Sequence, residues 1–192
     1  MLASIALFPL NIVLFPGGPL PLRIFETRYL DMVRSCMRGD QRFGVVLIRE
    51  GGEVGPAETF DVGTMARIID FHQLSDGFLG LSCVGEQRFR IVGRSRQADG
   101  LNLAQIDWIA AEPTMAVPQH HAHLAELLKA VLPELGAVYS GIEMHLSDAA
   151  WVGHRLAEIL PIAATEKQFC LELDDPIERL DVLSPLAQVT AR

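Results

Sequence analysis

The sequence is poor in lysine and in positive charge overall. Lysine occurs only at Lys129 and Lys167, and 24 acidic residues face 16 basic ones, for a formal net charge of −8. Negative charge disfavours nucleic acid and anionic lipid surfaces, so we expect neither as a partner. No lysine follows a glycine, which excludes the Gly-Lys-Ser/Thr of a phosphate-binding P-loop.

Cysteine is also scarce, and the three residues Cys36, Cys83 and Cys170 lie far apart among apolar neighbours. This spacing predicts buried free thiols rather than disulfides or a zinc site. Free thiols are typical of a reducing compartment, so we expect a cytoplasmic protein that folds without a metal or another cofactor.

Long apolar runs are missing as well. Pro9, Pro16, Pro19 and Pro21 divide the N-terminal apolar segment into pieces much shorter than the roughly 20 residues of a membrane-spanning helix. The first positive charge is Arg23, so the segment also lacks the basic start of a signal peptide. We expect neither a membrane span nor a signal peptide, but short apolar strands in IALFPL and IVLFPGG.

A β-rich pattern dominates the first part of the chain. One amphipathic helix is predicted in ETRYLDMVRSCMRGD, ending at Gly39. β-like segments follow in RFGVVLIRE, VGTMARIIDFHQL, GFLGLSCVG, EQRFRIVGRSR and LNLAQIDWIA, and the last four are joined at SDG, GE and ADG. This alternation favours an antiparallel barrel or sandwich.

Helical periodicity replaces the β pattern near Pro118. Apolar stripes stop at Pro133 and Pro161, and DDPIE places Asp175 as the cap of a later helix. We therefore predict an α+β chain with a β domain at 1–117 and a C-terminal helical subdomain at 118–192.

Histidines form the only metal-like group in the sequence, His120, His121 and His123. Zinc sites draw ligands from more than one element, and no cysteine pair or HExxH helix completes this one. We therefore predict no metal site, and keep a hydrolase with an unrecognised site only as an alternative.

Arginines recur at alternate positions in RFRIVGRSR, which places Arg88, Arg90, Arg94 and Arg96 in one stripe. An RNA-binding surface is one interpretation. The other is an amphipathic strand whose arginines meet water or carboxylates, and the overall acidity favours it.

Apolar residues exceed what the short N-terminal strands need, and five of them are candidates for an exposed binding surface. They are Phe15, Pro16, Pro19, Leu20 and Leu22. The alternative is that these side chains cap the core of the β domain.

Five segments in order resemble the N-terminal domain of Lon proteases, which is related to a domain of cereblon. They are LFPLNIVLFPGGPLPLRIFETRYLDMV, FGVVLI, VGTMARI, GLSCVGEQRFRI and EKQFCLELDDPIERL. The resemblance implies a PUA-like β pseudobarrel of about six strands with one inserted helix, followed by helices.

The resemblance also implies a substrate-recognition module without the ATPase and protease domains of Lon. It supplies no catalytic residues, so we expect a protein that is not an enzyme and that binds unfolded or partner protein segments. Neither the partner nor the oligomeric state follows from the sequence.

Overall fold

The structure is a computed structural model that describes residues 3–53, 55 and 57–190. It divides into two compact units, a β unit that ends at Ala110 and a helical unit that begins at Ala111. The expected division into a β domain at 1–117 and a C-terminal helical subdomain at 118–192 stays a prediction.

Six strands and one helix form the β unit. The strands are β1 (Ala3–Leu10), β2 (Pro19–Ile24), β3 (Arg42–Gly51), β4 (Ala57–Gln73), β5 (Leu79–Arg96) and β6 (Asn102–Trp108), and helix α1 (Thr27–Arg38) lies between β2 and β3. The helical unit contains α2 (Ala122–Val131), α3 (Ala149–Ile159), α4 (Ala164–Glu172) and α5 (Pro176–Thr190), with a 3-10 turn at Gln119–His121. The predicted α+β class, with strands first and helices afterwards, is confirmed.

The sheet closes on itself to form a barrel. Its strand order is β2-β5-β4-β3-β1-β6, and an additional pairing of β5 with β6 closes the ring. Strand β5 pairs with β2 from Leu79 to Val84, with β4 from Leu79 to Arg90 and with β6 from Phe89 to Arg96. Strand β2 pairs only with β5 among the described residues and is therefore an edge strand.

Side-chain alternation explains the core of the β unit. Along β2, Leu20 and Ile24 are buried whereas Pro21 and Arg23 are exposed, as expected when one face of a strand packs inward. Helix α1 buries Tyr29 against this core, where its ring stacks on Phe8 with centroids 4.0 Å apart.

Two sequence-based predictions of local structure are wrong. The GE dipeptide at Gly85 and Glu86 is not a turn but lies inside β5, where a side chain at Gly85 would be 2.2 Å from the Phe15 carbonyl oxygen. Glycine is needed there for close backbone approach and not for chain reversal. The second predicted strand, IVLFPGG, is irregular backbone, and the strand lies at Pro19–Ile24 instead.

Helix starts in the helical unit follow capping chemistry. The Asp175 side chain accepts from the backbone N–H of Ile177 at 2.8 Å, and Pro176 occupies the first position of α5, as predicted. Asp148 caps α3 in the same way, through Ala150 N–H at 3.1 Å. Across the described residues, no helix combines the length and the hydropathy needed to cross a membrane.

Charged side chains lie inside the helical unit. Arg179, fully buried, donates to both oxygens of Glu112 at 2.7 Å and to the carbonyl oxygen of Cys170 at 2.7 Å. His154 Nε2 is 3.2 Å from Glu112 Oε1. Burial alone raises the pKa of Glu112, but His154 and Arg179 outweigh it and bring that pKa to about 2.

Candidate functional site

Two of the five predicted apolar surface residues are buried. Phe15 has no exposed surface, and Leu20 is 2% exposed within the core that also contains Leu81 and Cys83. Leu20 pairs with Cys83 across the β2–β5 ladder, so its side chain shares the inward face of the sheet. The expectation of an exposed surface is therefore corrected at Phe15 and Leu20.

The other three predicted residues, Pro16, Pro19 and Leu22, are half-buried. Leu22 lines a pocket of about 260 Å³ at the junction of β2 with α1. The remaining lining residues are mostly apolar and include Phe8, Leu10, Pro21, Ile24, Phe25 and Tyr29, with Arg23, Glu26 and Glu53 as the charged ones.

Exposed aromatic rings lie beside this pocket. Phe25 is 54% exposed and Phe78 is 38% exposed, and their rings meet edge to face with centroids 6.3 Å apart. The Arg23 guanidinium lies 4.5 Å from the centre of the Phe78 ring and forms an ion pair with Asp76 at 2.9 Å. We call Pro21, Leu22, Phe25 and Phe78 the aromatic patch.

The charged residues of the pocket lining have polar partners nearby: Arg23 pairs with Asp76, Glu26 pairs with Arg28, and the Glu53 carboxylate accepts from the Asn11 backbone N–H at 3.0 Å. Arg28 Nη2 lies 2.8 Å from a carboxylate oxygen of Glu26 and 3.4 Å from the Glu53 carbonyl oxygen, and its guanidinium lies 4.7 Å from the centre of the Tyr29 ring. Burial is the main cause that raises the pKa of Tyr29, so its phenol stays neutral. The pocket thus presents apolar side chains and the neutral ring of Tyr29.

Prolines limit how a partner can bind at the β2 edge. Strand addition needs backbone N–H donors along a free edge, and Pro19 and Pro21 have none. Prolines on edge strands are a recognised protection against edge-to-edge pairing. Contacts of side chains with the aromatic patch are therefore the mode of binding that this edge permits.

The lining of the pocket suits an apolar side chain. Its polar side chains are those of Arg23, Glu26, Tyr29 and Glu53, and the other lining residues are apolar. The arrangement can exclude water from an apolar side chain and hold it in place.

The predicted arginine stripe is not a free basic surface. Arg88 is 3% exposed, which corrects the expectation at that position, and Arg90 is exposed. Arg94 donates to Asp61 and to Thr59 Oγ1, and Arg96 donates to the Gly100 carbonyl oxygen at 3.0 Å. Phosphate contacts need exposed cations; Arg90, Arg94 and Arg96 are exposed, but Arg94 and Arg96 are already bonded within the chain.

The sequence reasoning missed the rings of the aromatic patch. Phe25 lies between β2 and α1, and Phe78 directly follows the turn that contains Asp76 and Gly77. The available signal was that both phenylalanines lie outside the strands. The alternation of buried and exposed side chains along a strand therefore does not direct them into the core. Ile69 and Phe71, each 56% exposed on β4, add apolar surface two strands away from β2.

The fold and the chain order together define the class of protein. The family model for the substrate-binding domain of the ATP-dependent protease La (LON) matches residues 4–188. The chain therefore belongs to the family of Lon substrate-binding domains, and the predicted resemblance is confirmed.

Particular relatives support this assignment. The chain is similar to Lon protease 2 of Myxococcus xanthus, with 28% identity over 184 residues that cover 92% of this chain and 22% of that protein. It thus spans about a fifth of the length of this curated relative.

Solved structures give the same result. A crystal structure of a Lon N-terminal domain protein from Xanthomonas campestris matches with a TM-score of 0.77 and 37% identity, and covers 98% of each chain. The N-terminal domain of a Mycobacterium avium complex Lon protease shares the fold, with a TM-score of 0.71 at 14% identity over 97% of this chain and 98% of that one.

Proposed function

We propose that the chain binds apolar segments of partially unfolded proteins through the aromatic patch and does not itself catalyse a reaction. The observation that carries the proposal is the exposure of Phe25, which lines the apolar pocket, and of Phe78, whose ring meets that of Phe25. Exposed aromatic rings beside a pocket are typical of the centres of protein-binding surfaces. The family description as a substrate-binding domain supports the same role.

The pocket also limits which segments bind. Its volume of about 260 Å³ suits one large apolar side chain, which Leu22 and Tyr29 would contact from the walls. Unfolded chains expose such side chains, whereas folded proteins bury most of them. Selectivity for unfolded segments then needs no recognition of a particular sequence.

A binding assay with an unfolded model protein tests the proposal. We expect reduced, alkylated α-lactalbumin to bind the full chain with a negative heat-capacity change and weak salt dependence, since apolar burial drives the contact. Phe25→Ser and Phe78→Ser should each weaken binding about tenfold or more. Phe169→Ser is the matched control, because Phe169 is 53% exposed on α4 and lies outside the patch.

Two outcomes would contradict this function. Equal weakening by Phe169→Ser would show nonspecific adhesion, and unchanged affinity in both patch variants would place binding elsewhere. Single-stranded RNA that binds more tightly at low salt, and less tightly to the Arg90→Ala variant, would instead support the RNA-binding alternative.

A further inference from the structure

Two histidines of the 3-10 turn that precedes α2 lie close to an acidic residue of α5. His121 Nε2 lies 2.7 Å from Asp181 Oδ1, although the two residues are 60 positions apart in sequence. The His120 and His121 rings have centroids 4.2 Å apart, and one ligating atom from each of His120, His121 and Asp181 lies within 4.8 Å of the others. The second element that the sequence did not reveal is therefore α5.

We propose that His120, His121 and Asp181 form a binding site for a divalent transition-metal ion, for which Zn²⁺ is the reference. Imidazole nitrogen and carboxylate oxygen are ordinary zinc ligands, at distances of about 2.0–2.2 Å. Tetrahedral coordination at those distances separates neighbouring ligand atoms by about 3.4 Å. The separation between His121 Nε2 and Asp181 Oδ1 is 2.7 Å, and no two of the three ligating atoms are more than 4.8 Å apart.

The three ligand side chains differ in how far they can move, which allows the site to adjust to an ion. His121 is 4% exposed and fixed by packing, whereas His120 is exposed and the Asp181 side chain is 62% exposed. Binding would widen the His121–Asp181 contact by less than about 1 Å and draw His120 inward, which surface rotamers allow. The buried histidine anchors the site, and the two exposed residues complete it.

The tautomer of His121 is compatible with ligation. His121 Nδ1 is buried and has no hydrogen-bond partner among the described residues, whichever ring nitrogen carries the proton. Moving the proton from Nε2 to Nδ1 gives up the hydrogen bond to Asp181 and leaves the buried Nδ1–H without a partner among the described residues, a cost that the bond from Nε2 to the ion must outweigh. The Nε2 lone pair then faces Asp181 and the ion.

His123 borders the site without belonging to the ligand set. Its Nε2 lies 3.3 Å from Ser184 Oγ, one turn of α5 beyond Asp181, and its ring centroid is 6.4 Å from that of His121. The same face of α5 thus supplies a polar partner to both histidines. An ion at Asp181 would reinforce this contact and tie the 3-10 turn to α5.

Zinc titration of the purified full chain tests the site. We expect one Zn²⁺ per chain by calorimetry and a rise in melting temperature with zinc concentration, because a ligand that binds only the folded state stabilises it. His120→Ala and Asp181→Ala should each weaken binding about tenfold or more.

Matched controls separate the site from general surface binding. His145→Ala removes an exposed histidine of the same unit, and Glu178→Ala removes an exposed carboxylate of the same helix. Both should bind zinc within about twofold of the unaltered chain. His120→Ala alters an exposed side chain, so its metal-free melting should stay near normal; Asp181→Ala also removes the hydrogen-bond partner of the buried His121, so its zinc affinity is compared with its own metal-free melting. Absence of 1:1 binding, or equal affinity in the double variant His120→Ala/Asp181→Ala, overturns the proposal.

Discussion

Phe8 and Tyr29 stack in the interior of the β unit, whereas the interior of the helical unit contains Arg155 and Arg179. The β unit buries mainly hydrocarbon and leaves rings such as Phe25 and Phe78 at its surface. Apolar burial is nondirectional, but a buried ion needs specific partners. The two units should therefore respond differently to substitution and to pH.

The tryptophans allow the units to be followed separately. Trp108 ends β6 in the β unit, and Trp151 lies on α3 in the helical unit. No other tryptophan is present in the sequence. In a Trp108→Phe background, fluorescence reports the helical unit, and Trp151→Phe gives the complementary reporter for the β unit.

Arg179→Met should have the largest effect on stability. It leaves the nearly buried Glu112 without its two-pronged donor and the carbonyl oxygens of Cys170 and Leu173 without Arg179. Removing one partner of a buried pair costs about 3–5 kcal/mol. Urea unfolding followed by Trp151 fluorescence measures the loss.

A surface pair provides the control for Arg179. Lys129 lies 4.0 Å from Glu126 on the exposed face of α2, and Lys129→Met should cost less than about 1 kcal/mol. Similar losses in the two variants would contradict a special role of buried charge in the helical unit.

Leu20→Ala probes the hydrocarbon core of the β unit. Leu20 is 2% exposed and packs in the core cluster, so the cavity left behind should cost about 2–5 kcal/mol, measured with Trp108 as the reporter. Phe78→Ala, at an exposed ring, should change stability by less than about 1 kcal/mol. A mild effect at Leu20 together with lost peptide binding would restore Leu20 to the binding surface.

Glu158 should produce the smallest effect, and one that depends on pH. Burial raises the pKa of Glu158 to about 7, although Arg155 and Lys167 oppose the shift. Between its ordinary value of about 4.5 and pH 7, the folded state keeps a proton that the unfolded state has released. Stability should therefore fall as pH rises through this window.

Comparison with Glu158→Gln isolates that contribution. Relative to this variant, the unaltered chain should lose stability from pH 4.5 to pH 8, by at most about 3 kcal/mol, in urea unfolding followed by Trp151. Glu134→Gln, at an exposed position of the same unit, is the control. A difference between the unaltered chain and Glu158→Gln that stays constant with pH would show that Glu158 is not held protonated.

Predictions from local residue patterns were confirmed at two helix ends. Helix α1 ends at Arg38 before Gly39, and α5 begins at Pro176 after Asp175, both as predicted from local residue preferences. The turn predicted at Gly85 was wrong because glycine is favoured both in turns and where two backbone segments approach closely. Only the position of the Phe15 carbonyl, 70 residues earlier, separates the two uses.

Sequence analysis predicted the neighbourhood of the candidate site, but of the residues of the aromatic patch it predicted only Leu22. Hydrophobicity drew attention to the segment that contains Phe15, Leu20 and Leu22, yet it could not distinguish a core side chain from an exposed one. Phe78 joins the patch because the register of β2 with β5 places Ile24 opposite Leu79. Register between strands far apart in sequence is invisible to local periodicity.

The sequence by itself determined that strands precede the C-terminal helices, where α1 ends, where α5 begins, and the family, because these depend on residues close together in the chain. Tertiary structure alone decided that Arg88 is buried, that Phe25 meets Phe78 and that Asp181 reaches His121. Each of these depends on which distant elements pack together. The local pattern can state that a side chain is apolar or charged, but only packing fixes its neighbours and its access to water.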